Sequence, residues 1–296
     1  MKIQFTKMHG IGNDFILIDC IRQTCPPETG YLRGLSERLC NRRLGIGADQ
    51  VLLLYPSDIA DFRMRILNAD GSEVEMCGNG VRCLAKFIWD RKLSKKDILH
   101  IETLAGIIKP VKAGDMVKVD MGEPIFEPEK IPVNISGTGV GSQERAGNSK
   151  LKTRETKAVV DYPIRIKDRE FKVTCVSTGN PHAIIVVDDV SSFPVPYYGP
   201  LVETHPIFPK KANVEFIQVL TRKELRMRVW ERGSGETMAC GTGASAAAVA
   251  ARAKDLTDNA VTVHLVGGDL FIEWAEDNHV YMTGPAATVF EGEFDL

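Results

Sequence analysis

Two of the seven cysteines share a setting that suits acid–base chemistry. Cys77 opens the sequence Cys-Gly-Asn-Gly and Cys240 opens Cys-Gly-Thr-Gly, and each motif stands where a strand-like segment gives way to a helix-like one. The first N–H groups of a helix are unpaired and carry the positive end of its dipole, so they lower the pKa of a neighbouring thiol and bind carboxylates. Each motif therefore predicts a reactive thiol beside a carboxylate-binding loop.

A pair of such thiols suits the inversion of a stereocentre. A thiolate on one side of the carbon removes a proton and a thiol on the other side delivers one, and the two groups exchange roles when the reaction runs backwards. Each sulfur must then lie roughly 3–3.5 Å from the carbon. If the two loops line one cleft, the predicted reaction is proton transfer across the two faces of a single carbon.

The chain also repeats itself at an offset of 163 residues, which is the separation of Cys77 and Cys240. The matches at this offset are FRMRILN (62–68) with LRMRVWE (225–231), Gln50 with Asn213, and Glu73 with Glu236. With a small drift, GNDF at 12–15 matches GNPH at 179–182. An ordered series that spans most of both halves indicates two copies of one structural unit.

Each copy combines many strand-like segments with one helix-like segment after its cysteine motif. The pattern predicts an α+β fold of two pseudo-symmetric domains from an internal duplication, each a mostly antiparallel sheet or barrel wrapped around a central helix, with the active site in the cleft between them. We expect one domain to comprise 1–127 and 285–296 and the other 128–284. The polar, glycine-bearing stretch 137–157 predicts a flexible loop.

The bounds of individual elements follow from the local composition. Helices are predicted at 28–42, 81–92 and 244–254, the last of which is dense in alanine. Segments rich in Val, Ile, Leu and aromatic residues predict strands. These strands span 15–18, 51–55, 62–67, 98–102, 106–112 and 117–121 in the first copy and 183–187, 214–220, 225–230, 260–265, 270–274 and 280–283 in the second.

Polar residues near the repeated motifs fit an amino-acid substrate. Amide side chains both donate and accept hydrogen bonds, and the candidates are Asn13, Gln50, Asn68, Asn180 and Asn213. Arg232 can hold a carboxylate through two parallel hydrogen bonds, and its neighbour Glu231 can hold an ammonium group. Asn68 aligns with Glu231, so we expect the two copies to differ at specificity positions. His182 follows the second Gly-Asn pair, where it could bias the protonation of a thiol.

The composition argues against several other classes of protein. The chain has 296 residues, of which 44% are hydrophobic, and a formal net charge of −2, which disfavours a disordered chain and a strongly basic nucleic-acid binder. No apolar run approaches the ~20 residues of a membrane span, and the first residues lack the apolar block of a signal peptide. We therefore expect a cytoplasmic protein that binds neither nucleic acid nor a membrane.

Motifs for metals, cofactors and redox pairs are missing from the sequence. None of the seven cysteines forms a CxxC pair, so we expect all seven to be thiols in a reducing compartment. The chain has no HExxH, no P-loop, no GxGxxG after a strand and no GxSxG, and its six histidines are scattered. We therefore expect no metal and no cofactor.

Six segments give the chain a close resemblance to the diaminopimelate epimerase family, whose members serve lysine and peptidoglycan biosynthesis without pyridoxal phosphate. They are KMHGIGNDF (7–15), RLGIGADQ (43–50), LNADGSEVEMCGNGVRC (67–83), STGNPH (177–182), ANVEF (212–216) and WERGSGETMACGTGA (230–244). The resemblance implies a cytosolic, cofactor-free, two-domain homodimer that interconverts LL- and meso-diaminopimelate with two bases. The stretch 137–157 departs from the family because it is longer than usual.

The resemblance also implies roles for individual residues. Cys77 and Cys240 match the catalytic acid and base, and His182 and Glu231 match positions that tune the thiols. The positions that match substrate contacts are Asn13, Gln50, Asn68, Gly78, Asn79, Asn180, Asn213, Glu231, Arg232, Gly241 and Thr242. In the family, the Asn and Glu-Arg groups hold the distal end of the substrate, and the backbones of the two cysteine loops receive the reacting carboxylate.

Three other interpretations remain open at this point. A proline or hydroxyproline racemase also uses paired Cys-Gly loops, and turnover of proline would identify it. A thiol redox or metal-storage protein would show disulfide cycling or bound metal. A duplicated binding module would bind an amino acid without exchanging its α-hydrogen for solvent deuterium. The sequences GNDF and ERGSGET favour the diaminopimelate type over the racemases, and the dispersed cysteines give little support to a redox or metal-storage protein.

Overall fold

The computed structural model describes residues 2–25, 29–135 and 158–295, and it confirms the α+β class. The described residues within Met1–Asp120 and Thr283–Leu296 form one compact unit, and those within Met121–Met282 form a second. The predicted flexible loop at 137–157 lies outside the described residues. Within the described part of the chain, no helix has the length and apolar character that crossing a bilayer requires.

The described elements are, in chain order, β1 (Lys2–Gly10), β2 (Asn13–Asp19), α1 (Thr29–Cys40), β3 (Gln50–Tyr55), β4 (Phe62–Asn68), β5 (Glu73–Val74), α2 (Gly78–Asp90), β6 (Ile101–Thr103), β7 (Gly106–Ile108), β8 (Val111–Ala113), β9 (Met116–Asp120), β10 (Tyr162–Ile166), β11 (Arg169–Ser177), β12 (Pro181–Val186), α3 (Val195–Glu203), β13 (Asn213–Thr221), β14 (Glu224–Glu231), β15 (Gly235–Thr237), α4 (Gly241–Ala253), β16 (Ala260–Leu265), β17 (Gly268–Trp274), β18 (Val280–Gly284) and β19 (Ala287–Asp295).

The sheet of the first unit runs in the order β19-β1-β2-β3-β4-β6-β7, with β5 paired to β4. The pairs β2–β3 and β4–β6 are parallel and the other pairs are antiparallel. Helix α2 contacts β1, β2 and β3, whereas α1 contacts β3 and β4 and packs its leucines into a cluster with Ile16, Ile18, Val51 and Leu53. Strand β3 is apolar without alternation because side chains on both of its faces are buried.

The sheet of the second unit runs in the order β10-β11-β12-β13-β14-β16-β17-β18, with β15 paired to β14. Helix α4 contacts β11, β12, β13, β14, β16 and β17. Its alanines up to Ala251 are buried, because small side chains let the strands approach the helix closely. Helix α3 contacts β13 and β14 and belongs to a separate cluster around Phe193 and Phe216. The central helix within a mostly antiparallel sheet is the architecture that the sequence predicts.

The two units share one strand register, as the repeat predicts. In the first unit Phe15 pairs with Gln50 across parallel strands, and in the second His182 pairs with Asn213. The glutamates that precede each cysteine motif form equivalent ion pairs, each with a 2.7 Å contact: Arg65 with Glu73 and Arg228 with Glu236. These ion pairs fasten β5 to β4 and β15 to β14, so the two glutamates position the loops that carry the thiols.

Several predicted bounds are wrong for identifiable reasons. Helices α2 and α4 begin at Gly78 and Gly241, three residues before the predicted starts, because the glycines of each motif form the first helical turn. The predicted strand 106–112 is divided into β7 and β8, and Pro110 between them has no N–H for a strand ladder. The predicted helix at 28–42 is confirmed as α1.

The prediction of seven thiols is wrong at two positions. Cys20 and Cys25 form a disulfide, because the turn after β2 brings their Cα atoms within 5.3 Å of each other. A spacing of five residues does not resemble a redox motif, so the pair was not visible in the sequence. Cys40, Cys77, Cys83, Cys175 and Cys240 remain outside disulfides.

Candidate active site

Cys77 is the N-cap residue of α2. Its backbone is extended (φ −141°, ψ 110°), and its carbonyl accepts the first helical hydrogen bond from the N–H of Val81 at 2.9 Å. Its thiol is half-buried and lies 3.8 Å from the side-chain oxygen of Asn13. The thiol therefore sits at the positive end of the helix dipole, where a thiolate is favoured.

Two pairs of amides accompany Cys77 in the first unit. Asn13 Oδ1 accepts a hydrogen bond from Asn79 Nδ2 at 3.2 Å, and Gln50 Nε2 donates to Asn68 Oδ1 at 2.8 Å. Gln50 Oε1 and Asn79 Oδ1 are buried and have no hydrogen-bond partner among the described residues. Buried polar atoms are nearly always paired in folded proteins, so these two oxygens are acceptors suited to a donor group of a ligand.

A charged network holds Asn13 in this position. Its amide nitrogen donates to Asp49 at 2.9 Å, and Arg42 bridges Asp49 and Asp14 with 2.7 Å contacts to each. Burial alone would raise the pKa of Asp14, but hydrogen bonds from Arg42 and Lys7 outweigh it and lower the pKa to about 2. The candidate amide is therefore anchored by ion pairs that reach through the β1–β2 turn to the segment before β3.

Replacing Asp14 by asparagine is expected to lower the free energy of unfolding by about 2 kcal/mol at neutral pH. The folded pKa lies below the ordinary 3.8, so this stabilisation is present above pH 3.8 and is lost as the pH falls towards 2. Urea unfolding of both proteins between pH 7 and pH 2 measures it. The difference in unfolding free energy between wild type and Asp14→Asn should shrink below pH 4. A difference that stays constant with pH would contradict the lowered pKa of Asp14.

Cys240 is the N-cap residue of α4, in the same backbone conformation (φ −128°, ψ 111°). Its sulfur accepts a hydrogen bond from the N–H of Gly243 at 3.4 Å and lies 3.4 Å from the hydroxyl of Thr242. The residue is 6% exposed. Burial, followed by the nearby carboxylates of Glu231 and Glu215, raises the pKa of the Cys240 thiol well above its usual range.

Glu231 lies at the end of β14 and accepts a hydrogen bond from the hydroxyl of Thr237. Burial, with the charge of Glu215, raises the pKa of its carboxyl, and a hydrogen bond with Cys240 acts in the opposite direction. Glu231 and Cys240 therefore lie in direct electrostatic contact. A residue that tunes the protonation of this thiol must be that close to it.

His182 is completely buried and both of its ring nitrogens are engaged. Nδ1 lies 2.7 Å from Glu215 Oε1, and Nε2 lies 2.6 Å from Asn180 Oδ1. A carboxylate oxygen and an amide oxygen both accept hydrogen bonds and donate none, so each ring nitrogen faces a hydrogen-bond acceptor. Sequence reasoning did not single out Glu215. The available signal was a charged residue within ANVEF, at the position where the first copy has Leu52.

The remaining candidates in the second unit organise the end of β14. Asn213 donates to the carbonyl of Pro181 at 3.2 Å and accepts from the N–H of Arg232 at 2.9 Å. The guanidinium of Arg232 donates to the carbonyl of Lys210 at 3.2 Å and is otherwise exposed. Asn213 thus fixes the backbone from which Arg232 projects.

The predicted site residues therefore gather within each unit around its thiol or around the neighbouring strand ends. In the first unit, Gly78, Asn79 and Asn13 lie at Cys77, and Gln50 pairs with Asn68. In the second, Gly241, Thr242 and Glu231 lie at Cys240, His182 bonds Asn180, and Asn213 bonds Arg232. Among the described residues, no three His, Cys, Asp or Glu side chains form a group that could hold a metal ion.

Paired Cys-Gly loops occur in more than one family, and comparison with known sequences identifies the family of this chain. The sequence profile described as diaminopimelate epimerase matches residues 5–127 and 174–289. The chain belongs to the diaminopimelate epimerase family. It is 52% identical to the diaminopimelate epimerase of Moorella thermoacetica over 99% of this chain and 100% of that protein. It is 49% identical to that of Methanococcus maripaludis strain C5 over the same shares of the two chains. The resemblance stated from the motifs is thus confirmed.

Solved structures share the fold of this diaminopimelate epimerase family member at low sequence identity. A Bacillus anthracis phenazine biosynthesis protein of the PhzF family is 19% identical with a TM-score of 0.70, and each chain is covered completely. A probable proline racemase from Agrobacterium radiobacter is 15% identical with a TM-score of 0.67, over 99% of this chain and 93% of that one. These likenesses concern the fold, and they confirm a two-domain duplicated architecture.

Proposed function

We propose that this chain interconverts LL-diaminopimelate and meso-diaminopimelate by two-base proton transfer at the α-carbon. Family membership supports the substrate, because relatives about half identical over their full length are named diaminopimelate epimerases. One observation supports the mechanism above the others: each duplicated helix begins directly after a cysteine in the same N-cap conformation. This makes the chain an isomerase that supplies lysine and peptidoglycan synthesis.

The proposed chemistry assigns one sulfur to each face of the substrate carbon. The thiolate of one cysteine takes the α-hydrogen as a proton, so the Cα–H bond breaks and an S–H bond forms. The other cysteine gives its proton to the opposite face of the carbanion and becomes a thiolate. Negative charge that develops on the carboxylate is stabilised by the first N–H groups of α2 and α4. The two cysteines provide both acid and base, so the proposed reaction needs no cofactor and no metal.

The polar candidates are proposed to recognise the two ends of a zwitterionic amino acid. The unpartnered oxygens of Gln50 and Asn79 are suited to an ammonium group. The exposed guanidinium of Arg232 is suited to a carboxylate, which it can hold through two parallel hydrogen bonds. Asn13, Asn68, Asn180, Asn213, Glu231, Gly78, Gly241 and Thr242 complete the proposed contacts. His182 and Glu231 are proposed to set the protonation of the thiols.

The surroundings of the enzyme are also proposals. We place it in the cytoplasm as a homodimer, in line with the family, and we propose neither a nucleic-acid partner nor a membrane partner. The domain division at 127/128 and 284/285 remains a prediction about the limits of the two duplicated halves.

Substrate choice tests the proposed function directly. The purified protein should convert LL-diaminopimelate and meso-diaminopimelate into each other, with a kcat/KM at least about 10³-fold above that for L-proline or hydroxyproline, because those substrates lack the distal group that Arg232 would hold. Chiral chromatography of the products measures both. Comparable turnover of proline would favour the racemase alternative, and binding of diaminopimelate without turnover would favour a binding module.

A further inference from the structure

The second glycine of each cysteine motif lies over the same two strand positions, but the side chains there differ completely between the units. In the first unit, a Cβ built on Gly80 would come 3.1 Å from Leu52 and 3.5 Å from Phe15. In the second unit, a Cβ on Gly243 would come 2.6 Å from Glu215 Oε1. The strand registers make Leu52 equivalent to Glu215 and Phe15 equivalent to His182. A buried polar pair therefore replaces an apolar pair.

The polar pair is not what packing alone would select. Glu215 and His182 are both 0% exposed, and burying a carboxylate costs free energy that a single ion pair rarely recovers. Glu215 Oε2 has no hydrogen-bond partner among the described residues, so part of that cost is not offset. The first unit shows that Phe and Leu fill the same space under the same loop. The polar pair thus serves a purpose other than stability.

The charge of Glu215 acts on the loop above it. The carboxylate of Glu215 lies directly beneath Gly243. The N–H of Gly243 in turn donates to the sulfur of Cys240 at 3.4 Å. The ionisable groups that face Cys240 from the neighbouring strands are Glu231 on β14 and Glu215 on β13, and His182 on β12 is bonded to the latter. Negative charge near a thiol opposes its ionisation.

The first unit has the opposite charge near its thiol. Arg82 on α2 is completely buried and interacts electrostatically with Cys77. The equivalent residue of α4 is Ser245, which is uncharged and bonds the carbonyl of Gly241 at 3.0 Å. A buried cation favours the thiolate at Cys77, whereas buried carboxylates favour the thiol at Cys240.

We propose that Glu215 is a positioning residue that keeps Cys240 in its thiol form in the free enzyme and orients His182 towards Asn180. The proposal rests on the proposed function, because it assigns the resting proton of the two-thiol pair to Cys240. It also gives a reason for the different surroundings of two otherwise equivalent loops. Before the reaction, one cysteine must be a thiolate that accepts a proton and the other a thiol that donates one.

The test is a titration of Cys240 alone. In Cys77→Ser, thiolate absorbance that appears below pH 9 reports Cys240, because burial raises the pKa of the other free thiols above that pH: to about 11 for Cys40, to about 12 for Cys83, and upwards for Cys175 as well. We expect no thiolate signal from Cys240 below the ordinary cysteine value of 9.0. Adding Glu215→Gln should move the titration at least about one pH unit lower, since one charge is removed at nearly constant shape.

Glu203→Gln is the matched control. Glu203 is also a buried carboxylate of the second unit, but it bonds Trp230 and the N–H of Gly233, so its loss should leave the Cys240 titration in place. If Glu215→Gln does not fold, the pair His182→Phe with Glu215→Leu copies the first unit and should produce the same downward shift. A thiolate signal below pH 9 in Cys77→Ser, or an unchanged titration without the carboxylate, overturns the proposal.

Activity separates this proposal from the proposed function. In the chain with both cysteines, Glu215→Gln should move the alkaline limb of the kcat–pH profile downwards by a similar amount, because Cys240 loses its donor proton earlier. The titration needs no substrate. A shifted titration in a protein that does not epimerise diaminopimelate would therefore overturn the function and leave the role of Glu215 standing.

Discussion

Replacing either Cys77 or Cys240 by alanine is expected to lower kcat/KM for epimerisation by about 10³-fold or more. Each variant keeps one sulfur and so retains either the acid or the base, but inversion of the carbon requires both. The double variant should be hardly worse than either single one, because residues that act as a unit are not additive. Initial rates in both directions, measured by chiral chromatography, give the comparison.

Cys175→Ala provides the matched control for these substitutions. Cys175 is a buried cysteine of the second unit, on β11, and the proposed mechanism does not use it. Its replacement should leave kcat/KM within a few fold and lower the stability by about 1 kcal/mol through the lost packing. A Cys77 or Cys240 variant that retains wild-type activity, while still folded by circular dichroism, would refute the two-thiol scheme.

Replacing Arg232 by lysine is expected to lower kcat/KM for LL-diaminopimelate by about 10²-fold, mainly through KM. The N–H of Arg232 is held by Asn213 at 2.9 Å, so the backbone that presents the guanidinium stays in place in the variant. Lysine retains the positive charge but not the two parallel hydrogen bonds that a guanidinium makes with a carboxylate. Steady-state kinetics with both stereoisomers separates the effects on KM and kcat.

Arg226→Lys is the appropriate control for charge and strand. Arg226 is exposed on β14, the strand that ends directly before Arg232, and makes no proposed contact with substrate. Its replacement should leave KM unchanged. If Arg232→Lys has the kinetics of Arg226→Lys, the substrate carboxylate is held elsewhere and the assignment of Arg232 is wrong.

The repeat made the strand framework and the thiol positions predictable. Segments 62–68 and 225–231 share Arg-Met-Arg between apolar residues, so one interpretation of their pattern served both units. Both are strands that carry the equivalent ion pairs. The helix starts were misplaced by three residues because glycine is an unfavourable residue within a helix. At these sites close packing decides the residue rather than helix propensity, because a Cβ built on Gly243 would come 2.6 Å from Glu215 Oε1.

Features that depend on distant packing were not predictable. Helix α3 has the sequence VPYYGPLVE, whose prolines and glycine are typical of a loop. It is helical because it packs against β14, where a Cβ on Gly199 would come 2.5 Å from Trp230 Cγ. The partnership of Glu215 and His182 likewise depends on the parallel register of β12 and β13, which are separated by α3 in the sequence. Local pattern carries no information about that pairing.

Epimerisation of LL-diaminopimelate in heavy water tests the two-base claim most directly. At low conversion the account predicts one deuterium at the inverted centre of the meso product and none in the recovered LL substrate. This follows because the thiol that delivers hydrogen has exchanged with solvent, while the thiolate that removes it acts on the other face. Deuterium in the recovered LL substrate at a level equal to that in the product would show that one base serves both faces, and would contradict the account.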